Sequence, residues 1–406
     1  MRVIINALAT LTTKTGVGHH VSELTRALRA EFPSDSFACY PGQWLSRRLP
    51  WLLQHSPTRS SPFETGPRRR HWQLSKPFQQ QLKAVAKWAS QFHFAAFTRI
   101  HRADLYHEPN FISYRVDIPT VVTVHDLSVL RYPQWHPRDR VRYHELHFPR
   151  SIARADHLIV VSEAVRRELL NDYGLVPERV TVVGNGVSPA FQPRSQESQQ
   201  IIRVRLSLPD HYFLYVGTIE PRKNVATILK AFVDLPEAIR RRCPLLLAGP
   251  WGWKSEAERE FFETVAKPRG ARHLGYVAEA DLPGLYACAT ALLYPSYYEG
   301  FGMPPLEMLA CGGPVLASTA EAITEVLGPC GLTIPAADLA GWRHAMAQVA
   351  CDESYRQSLC EGAIQRAREF TWPRAARATM AVYQKLLGQS QGHIGVTPEL
   401  PGRSAA

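Results

Sequence analysis

Short apolar runs alternate with amphipathic helical patterns along the whole chain. Strands that alternate with helices in this way favour parallel sheets built from strand-helix-strand units. The predicted strands cover residues 3–7, 120–124, 158–161, 180–183, 212–216, 245–248, 291–294 and 315–317, and the predicted helices cover 19–31, 162–173, 225–235, 305–310 and 339–370. We therefore predict an α/β protein with one doubly wound sheet in each half.

A polar stretch near the middle of the chain interrupts the alternation. Residues 188–200, with the sequence SPAFQPRSQESQQ, separate a strand from the first helix of the second half, as expected of an interdomain linker. The predicted parts are an N-terminal domain (1–190), a linker (191–200), a C-terminal domain (201–371), a final helix (372–388) and a tail expected to be disordered (389–406).

The composition changes the picture mainly through its charge. The chain has 406 residues, of which 45% are hydrophobic, and this excludes a small module or a wholly disordered protein. The net charge is +11, and residues 36–103, here called the basic window, hold eleven Lys or Arg against a single acid. Such a surplus favours a phosphate-bearing partner, a polyanion or an anionic membrane surface.

The basic window also holds four of the nine tryptophans. Lys76, Lys83 and Lys87 alternate with aromatic and aliphatic residues near helical spacing, a pattern that suits a helix lying on an anionic membrane. The simpler alternative is an amphipathic helix packed on the domain core. Basic residues among aromatic ones also suit single-stranded nucleic acid, but no RNA-binding motif accompanies them, so we predict no nucleic-acid partner.

The cysteines and the apolar segments bear on location. None of the seven cysteines lies two to four residues from another, so the sequence predicts no zinc knuckle or redox pair, and reduced thiols of a cytoplasmic protein are expected. The first ten residues are too short for a signal sequence. No apolar run approaches the about 18 residues of a membrane span.

Two motifs of the first half point to a ligand. Gly16 and Gly18 lie between the first strand and a helix, where backbone N–H groups bind phosphate readily, although Val21 stands where a dinucleotide fingerprint needs a third glycine. A tight turn is the alternative. His125 and Asp126 follow the strand TVVTV, at the sheet edge where ligands bind, and a histidine there suits a sugar hydroxyl or a proton transfer. A histidine that bonds only local backbone is the alternative.

The second half contains a cationic loop and a pair of acids. The segment GTIEPRKN places Gly217 directly after a strand and Arg222 and Lys223 at the start of a helix, which suits a pyrophosphate. In the segment EGFGMPPLE, seven residues separate Glu299 from Glu307. One acid is predicted on a loop and the other on a helix, so that each is placed to bind a different diol.

Three segments together resemble the retaining glycosyltransferases of family four, which have the GT-B fold. They are GTIEPRKN, YEGFGMPPLEMLACGGPVLAS and VVGNGVSPAF. The resemblance extends from the TGVGHHV loop to the final TWPRAARATMAVYQKLL helix. It implies two Rossmann-like domains that face a cleft, with the last helix crossing back to the N-terminal domain. It also implies a nucleotide-diphosphate-sugar donor, transfer with retention, and no dedicated metal or other cofactor.

The resemblance assigns an expected role to each motif residue. Arg222 and Lys223 match the pair that binds the diphosphate, and Glu307 matches the acid that holds the ribose. Glu299 matches the acid beside the transferred sugar, and His125 matches the histidine that faces it; these two and the basic pair are the predicted catalytic residues. The other predicted donor-binding residues are Gly16, Gly18, Gly217, Gly300, Phe301 and Gly302. No protein nucleophile is assigned.

Asp126 and Glu325 are the remaining candidates, on the acceptor side or near the donor. Many relatives have Pro-Glu-Val after the glycine-proline run, whereas this chain has Thr324-Glu325-Val326. The geometry of that loop is therefore a point on which this chain departs from the family.

Likeness to mannosyl-transferring relatives favours a GDP-sugar, mannose or a mannose-derived deoxysugar, and a lipid-linked or oligosaccharide acceptor in surface polysaccharide (O-antigen) biosynthesis. We then expect a protein peripheral on the inner face of the cytoplasmic membrane, with its basic window on the anionic surface. The alternatives are a UDP-sugar donor, a sugar-nucleotide epimerase on the same fold, and a basic membrane-binding protein without catalysis.

Overall fold

The computed structural model describes residues 1–11, 16–42 and 89–390. Most of the basic window, residues 43–88, lies outside the described residues, as does the predicted tail from residue 391 onward. The membrane helix predicted around Lys76 to Lys87 therefore stays a prediction.

The N-terminal half forms a parallel six-stranded sheet. Its strands are β1 (Arg2–Asn6), β2 (Ser36–Tyr40), β3 (Leu105–Glu108), β4 (Thr120–Val124), β5 (His157–Val160) and β6 (Val180–Val182), in the spatial order β2-β1-β3-β4-β5-β6. The chain order reverses between β1 and β3, and a ligand crevice is expected at the carboxyl ends of the strands at such a point.

The C-terminal half forms a second parallel sheet of six strands. Its strands are β7 (Phe213–Val216), β8 (Leu245–Ala248), β9 (Arg272–Gly275), β10 (Ala291–Tyr294), β11 (Val315–Ser318) and β12 (Leu332–Ile334), in the spatial order β12-β11-β10-β7-β8-β9. The reversal lies between β7 and β10, the two strands that precede the cationic loop and the EGFG loop.

Helices cover both faces of each sheet. In the described part of the first half they are α1 (Gly16–Glu31), α2 (residues 89–100), α3 (Ser128–Arg131), α4 (Arg138–Arg154) and α5 (Glu163–Tyr173). In the second half they are α6 (Gln196–Leu206), α7 (Val225–Val233), α8 (Glu237–Arg242), α9 (Glu256–Phe261), α10 (Leu282–Ala287), α11 (Met303–Ala310), α12 (Glu321–Leu327), α13 (Leu339–Cys351), α14 (Glu353–Ser358), α15 (Ala363–Ala367) and α16 (Trp372–Ser390).

The predicted α/β class with two doubly wound sheets is confirmed. β2, β3, β9 and β12 were not predicted, and neither was α4, whose sequence is mostly polar. The short helices α3, α8, α9, α10 and α12 were not predicted either. The predicted start of α1, at residue 19, is three residues late. β6 ends at Val182 and α6 begins at Gln196, within the predicted linker 191–200; the domain limits themselves stay predictions.

The last helix crosses back to the N-terminal domain, as predicted. Trp372, Ala376 and Tyr383 of α16 share a core cluster with Val21 and Leu28 of α1. Two chain segments thus join the domains, and they meet where Val187 forms a parallel bridge with Thr371. The core of the N-terminal domain is therefore complete only with the C-terminal end of the described chain.

Gly186 lies at this double crossing. A Cβ atom built there would come 2.2 Å from the backbone nitrogen of Trp372, and backbone is the least able to yield. Only a residue without a side chain lets the two segments approach so closely.

We expect Gly186→Ala to lower the free energy of unfolding by about 2 kcal/mol or more, because one of the two segments must shift. Gly388→Ala is the matched control, since a Cβ atom at Gly388 meets nothing within 4 Å and alanine favours the helix. Thermal unfolding of both variants checks this, and equal unfolding temperatures for the two would contradict it.

Candidate active site

A cavity of about 2670 Å³ lies between the two domains. Residues at or just beyond the carboxyl ends of strands from both sheets line it: Asn6, Glu108 and His125 from the first sheet, and Gly217, Gly249 and Tyr294 from the second. This is the crevice that the strand order predicts for each sheet. Most of the site residues predicted from the sequence also line this cavity: Gly16, His125, Asp126, Gly217, Arg222, Lys223, Glu299, Gly300, Phe301, Gly302 and Glu307.

The cationic loop is held rigidly at the floor of the cavity. Asn224 ends it with a left-handed φ of 52°, and its side-chain amide donates to the carbonyls of Pro295 and Ala336, at 3.0 and 2.8 Å. The backbone N–H of Tyr297 donates to the carbonyl of Arg222 at 2.9 Å. The loop after β7 is thereby fixed to the loop after β10.

Arg222 and Lys223 converge on one carboxylate. Glu299 accepts from Arg222 Nη1 at 2.8 Å and from Lys223 Nζ at 2.6 Å. Arg222 also donates to the Tyr298 carbonyl at 3.1 Å and to Glu220 Oε1 at 3.0 Å. The side chains of the two cations are only 13% and 12% exposed, so this is a buried ion cluster.

Each cation keeps one N–H group without a partner among the described residues. Lys223 has three donors and uses two, on Glu299 and on the Tyr294 hydroxyl. Arg222 has five and uses four. Both residues line the cavity, and N–H groups without a partner on two cations suit an anionic ligand.

The two predicted acids have opposite electrostatics. Burial alone would raise the pKa of Glu299, but the charges of Arg222 and Lys223 lower it to about 2. Burial raises the pKa of Glu307, on the first turns of α11, to about 7. At neutral pH Glu299 is therefore ionised, while Glu307 is close to its titration midpoint.

The EGFG loop touches the opposite domain. A Cβ atom at Gly300 would lie 1.8 Å from the carbonyl oxygen of His125, so only glycine allows this approach. The Gly300 carbonyl accepts from Ser162 Oγ at 2.7 Å. The ring of Phe301 packs on Phe370 and is buried, while the residue still lines the cavity.

Histidines form the opposite wall. His125 Nε2 bonds the Pro109 carbonyl at 2.8 Å; because a carbonyl only accepts, Nε2 carries the hydrogen and Nδ1 keeps a lone pair. Burial lowers the pKa of His125, so the ring is neutral. Asp126 accepts from the N–H and Oγ of Ser128, at 2.9 and 2.7 Å, and these bonds with the charge of Arg222 outweigh its burial and lower its pKa.

Comparison with known proteins identifies the family. Residues 14–191 match the model described as Glycosyltransferase Family 4, and residues 198–368 match Glycosyl transferases group 1. The chain is 31% identical over 376 residues to the O-antigen chain mannosyltransferase B of Escherichia coli, covering 92% of this chain and 96% of the relative. The chain belongs to glycosyltransferase family 4.

Solved structures share its fold. Sucrose-phosphate synthase from Thermosynechococcus elongatus superposes with a TM-score of 0.71 at 21% identity, covering 96% of this chain and 100% of that chain. Anabaena HepE in complex with UDP-glucose superposes with a TM-score of 0.67 at 16% identity, covering 95% and 100%. The predicted two-domain architecture around a cleft is thus that of other glycosyltransferases.

Three predicted residues of this glycosyltransferase lie differently from expectation. Gly16 and Gly18 belong to the first turn of α1 and not to a loop, and Gly18 is buried outside the cavity lining. Glu325 does not line the cavity either. Its carboxylate accepts from the backbone N–H groups of Glu163 and Ala164, so it caps α5 across the domain interface. Neither Gly18 nor Glu325 lines this cavity, and their assignment to a ligand site stays a prediction.

The sequence analysis missed several residues that line the cavity. Glu220 lies within the quoted GTIEPRKN segment, and one of its carboxylate oxygens is buried with no partner among the described residues. Glu108 accepts from Asn6 Nδ2 and from the Tyr106 hydroxyl at 2.6 Å each, and burial raises its pKa to about 8. Its strand was not predicted, so nothing in the sequence placed it here.

The described residues bear on two remaining expectations, those for a metal ion and for a membrane span. No group of three or more His, Cys, Asp or Glu there is arranged to hold a metal ion. None of the helices in that part of the chain is long and apolar enough to cross a membrane.

The pKa values of Glu299 and Glu307 shift in opposite directions, so replacing each acid by glutamine should change the free energy of unfolding in opposite directions. Glu299 has a lowered pKa, so its ionised form stabilises the fold above a glutamate's ordinary pKa, and this is lost as the pH falls toward 2. Glu307 has a raised pKa, so its ionisation costs stability as the pH rises through about 7.

At about pH 8 we expect Glu299→Gln to lower the free energy of unfolding and Glu307→Gln to raise it. The deficit of Glu299→Gln should shrink as the pH is lowered below about 4. Urea denaturation of both variants over this pH range checks it, and a change of the same sign in both would contradict the assignment.

Proposed function

We propose that this glycosyltransferase moves a mannosyl residue from GDP-mannose to a glycan acceptor, with retention of the anomeric configuration, in surface polysaccharide biosynthesis. The observation that carries the donor half is the pair of unused N–H groups on Arg222 and Lys223, on two buried cations at the cavity floor. The similarity to an O-antigen chain mannosyltransferase over nearly both whole chains supports the transferred sugar.

In the proposed reaction the bond from the anomeric carbon to the diphosphate oxygen breaks, and GDP leaves with the electron pair. The N–H groups of Arg222 and Lys223 stabilise the charge that develops on the diphosphate. An acceptor hydroxyl oxygen bonds to the anomeric carbon from the same face, and its proton passes to the leaving phosphate oxygen. No protein nucleophile takes part.

The contacts of the nearby carboxylates support this last point. Both oxygens of Glu299 are engaged by the cations, and Asp126 is held by Ser128. His125 presents its Nδ1 lone pair as an acceptor for a hydroxyl of the transferred sugar. Glu307 lines the same cavity, and we propose that it accepts from the ribose hydroxyls.

The acceptor, the membrane and the cofactor complete the proposal. We propose a lipid-linked or oligosaccharide acceptor, used at the inner face of the cytoplasmic membrane, with the anionic surface meeting the basic window. We propose that no resident metal is required, because the two cations and the N-terminus of α11 would offset the charge of the diphosphate. Transfer is therefore expected to proceed in EDTA.

Lys223→Ala should reduce mannosyl transfer from GDP-mannose by at least about 100-fold, because it removes a donor aimed at the developing charge. The matched control is Lys230→Ala, an exposed lysine of the same domain on α7, which should transfer at the wild-type rate. Radiolabel transfer to a mannose-terminated acceptor measures both.

Near-normal transfer by Lys223→Ala would remove the diphosphate assignment. Transfer by the wild type from UDP-glucose in preference to GDP-mannose would instead replace the donor and leave the cation site in place.

The affinity for GDP should rise with pH between about 6 and 8, because a carboxylate accepts both ribose hydroxyls and a carboxylic acid does not. Burial places the pKa of Glu307 at about 7, inside that range. In Glu307→Gln we expect about tenfold weaker binding at the upper pH and a flat profile. Calorimetric titration with GDP tests this, and an unchanged slope in the variant would refute the ribose assignment.

A further inference from the structure

His136 is a buried imidazole that the donor site does not use. It lies in the loop before α4, is 4% exposed and lines the cavity. Both of its ring nitrogens lack a hydrogen-bond partner among the described residues. A buried polar group left unpaired costs about 1–3 kcal/mol of stability. A ligand in the cavity that formed hydrogen bonds with His136 would recover this free energy.

Helix α4 adds a stripe of polar and aromatic residues beside His136. It buries Phe148, Ser151 and Ile152 against its own domain. Its other face lines the cavity with Arg140, Tyr143, His144 and His147, which are spaced as one face of a helix. These four residues include no aliphatic side chain, and each carries a group that can form hydrogen bonds.

Trp253 closes this wall from the other domain. The guanidinium of Arg140 lies over its ring at 4.9 Å, and the ring of His136 lies 5.9 Å from it. Its indole N–H donates to the Trp135 carbonyl at 2.9 Å. The indole is therefore fixed in the cavity wall, beside Arg140 and His136.

The imidazoles here are neutral. Burial, and then the charge of Arg140, lower the pKa of His136 to about 4. His144 Nδ1 bonds the Arg140 carbonyl at 2.9 Å, which leaves Nε2 as an acceptor, and burial lowers its pKa. A neutral imidazole with both nitrogens unused offers one donor and one acceptor.

We propose that His136, Arg140, His144 and Trp253 form a subsite that binds a hexose unit of the acceptor glycan. A hexose has hydroxyl groups that both donate and accept, which match a neutral imidazole, and an apolar ring face, which matches an indole. His136, Asp126 and Arg222 line the same cavity, so an acceptor bound at this subsite would share the cleft with the donor. This inference rests on the proposed function for its reaction, but not for its binding test.

The test measures the binding of α-linked mannobiose in the absence of donor. NMR titrations compare the wild type with His136→Phe and Arg140→Ala. We expect both variants to bind mannobiose at least tenfold more weakly. His136→Phe removes two unpaired nitrogens and keeps the ring, so its unfolding temperature should not fall. Arg142→Ala, exposed on the same helix and outside the cavity lining, is the matched control and should bind like the wild type.

The proposal is overturned if the wild type does not bind mannobiose, or if His136→Phe and Arg140→Ala bind it like the wild type. It is equally overturned if inorganic pyrophosphate displaces mannobiose and Arg140→Ala weakens the binding of that pyrophosphate, since the subsite would then fit a lipid-linked diphosphate. Transfer from GDP-mannose by the wild type is a separate readout. If transfer is absent while mannobiose still binds and the binding depends on His136, the proposed donor is wrong and the proposed subsite is retained.

Discussion

The buried ion cluster of Arg222, Lys223 and Glu299 is the interaction on which the rest of the site depends. Removing two cations from water is costly, and the cost is offset here because Glu299 pairs with both and Glu220 pairs with Arg222. The pairing joins the loops after β7 and β10, at the reversal point of the second sheet. Loss of one partner would leave an unpaired buried charge.

The same cluster reaches the N-terminal domain through the EGFG loop. The Tyr298 carbonyl accepts from Arg222, while its hydroxyl accepts from the backbone N–H of Leu127 and donates to Glu168. Gly300 lies against the His125 carbonyl. The position of His125 relative to Glu299 is therefore set by short, specific contacts across the cleft, and Glu325 adds another by capping α5.

The two walls of the cleft have different chemistry. The C-terminal wall carries fixed charges, as a diphosphate requires. The N-terminal wall carries His125, His136 and His144, whose pKa values burial lowers, and neutral imidazoles suit hydroxyl recognition. The net charge of the whole chain has little to do with either wall, because its surplus lies in the basic window.

Much of the fold could be predicted from the sequence, because buried parallel strands such as β4, β7 and β8 are continuous apolar runs. β3 was not predicted because His107 and Glu108 are buried polar residues within a short strand. α4 was not predicted because the face that lines the cavity is polar. In the site, Arg222, Lys223 and Glu299 were recognisable from motif spacing. His136, Tyr298 and Glu108 were not, since each is defined by contacts between segments distant in sequence.

The most direct test of the central claim is a crystal structure of the protein with bound GDP. The account predicts diphosphate oxygens within about 3 Å of Lys223 Nζ and of an Arg222 nitrogen, with the ribose hydroxyls on Glu307. A diphosphate bound elsewhere in the cleft, with no oxygen in contact with Lys223 Nζ or an Arg222 nitrogen, would contradict it.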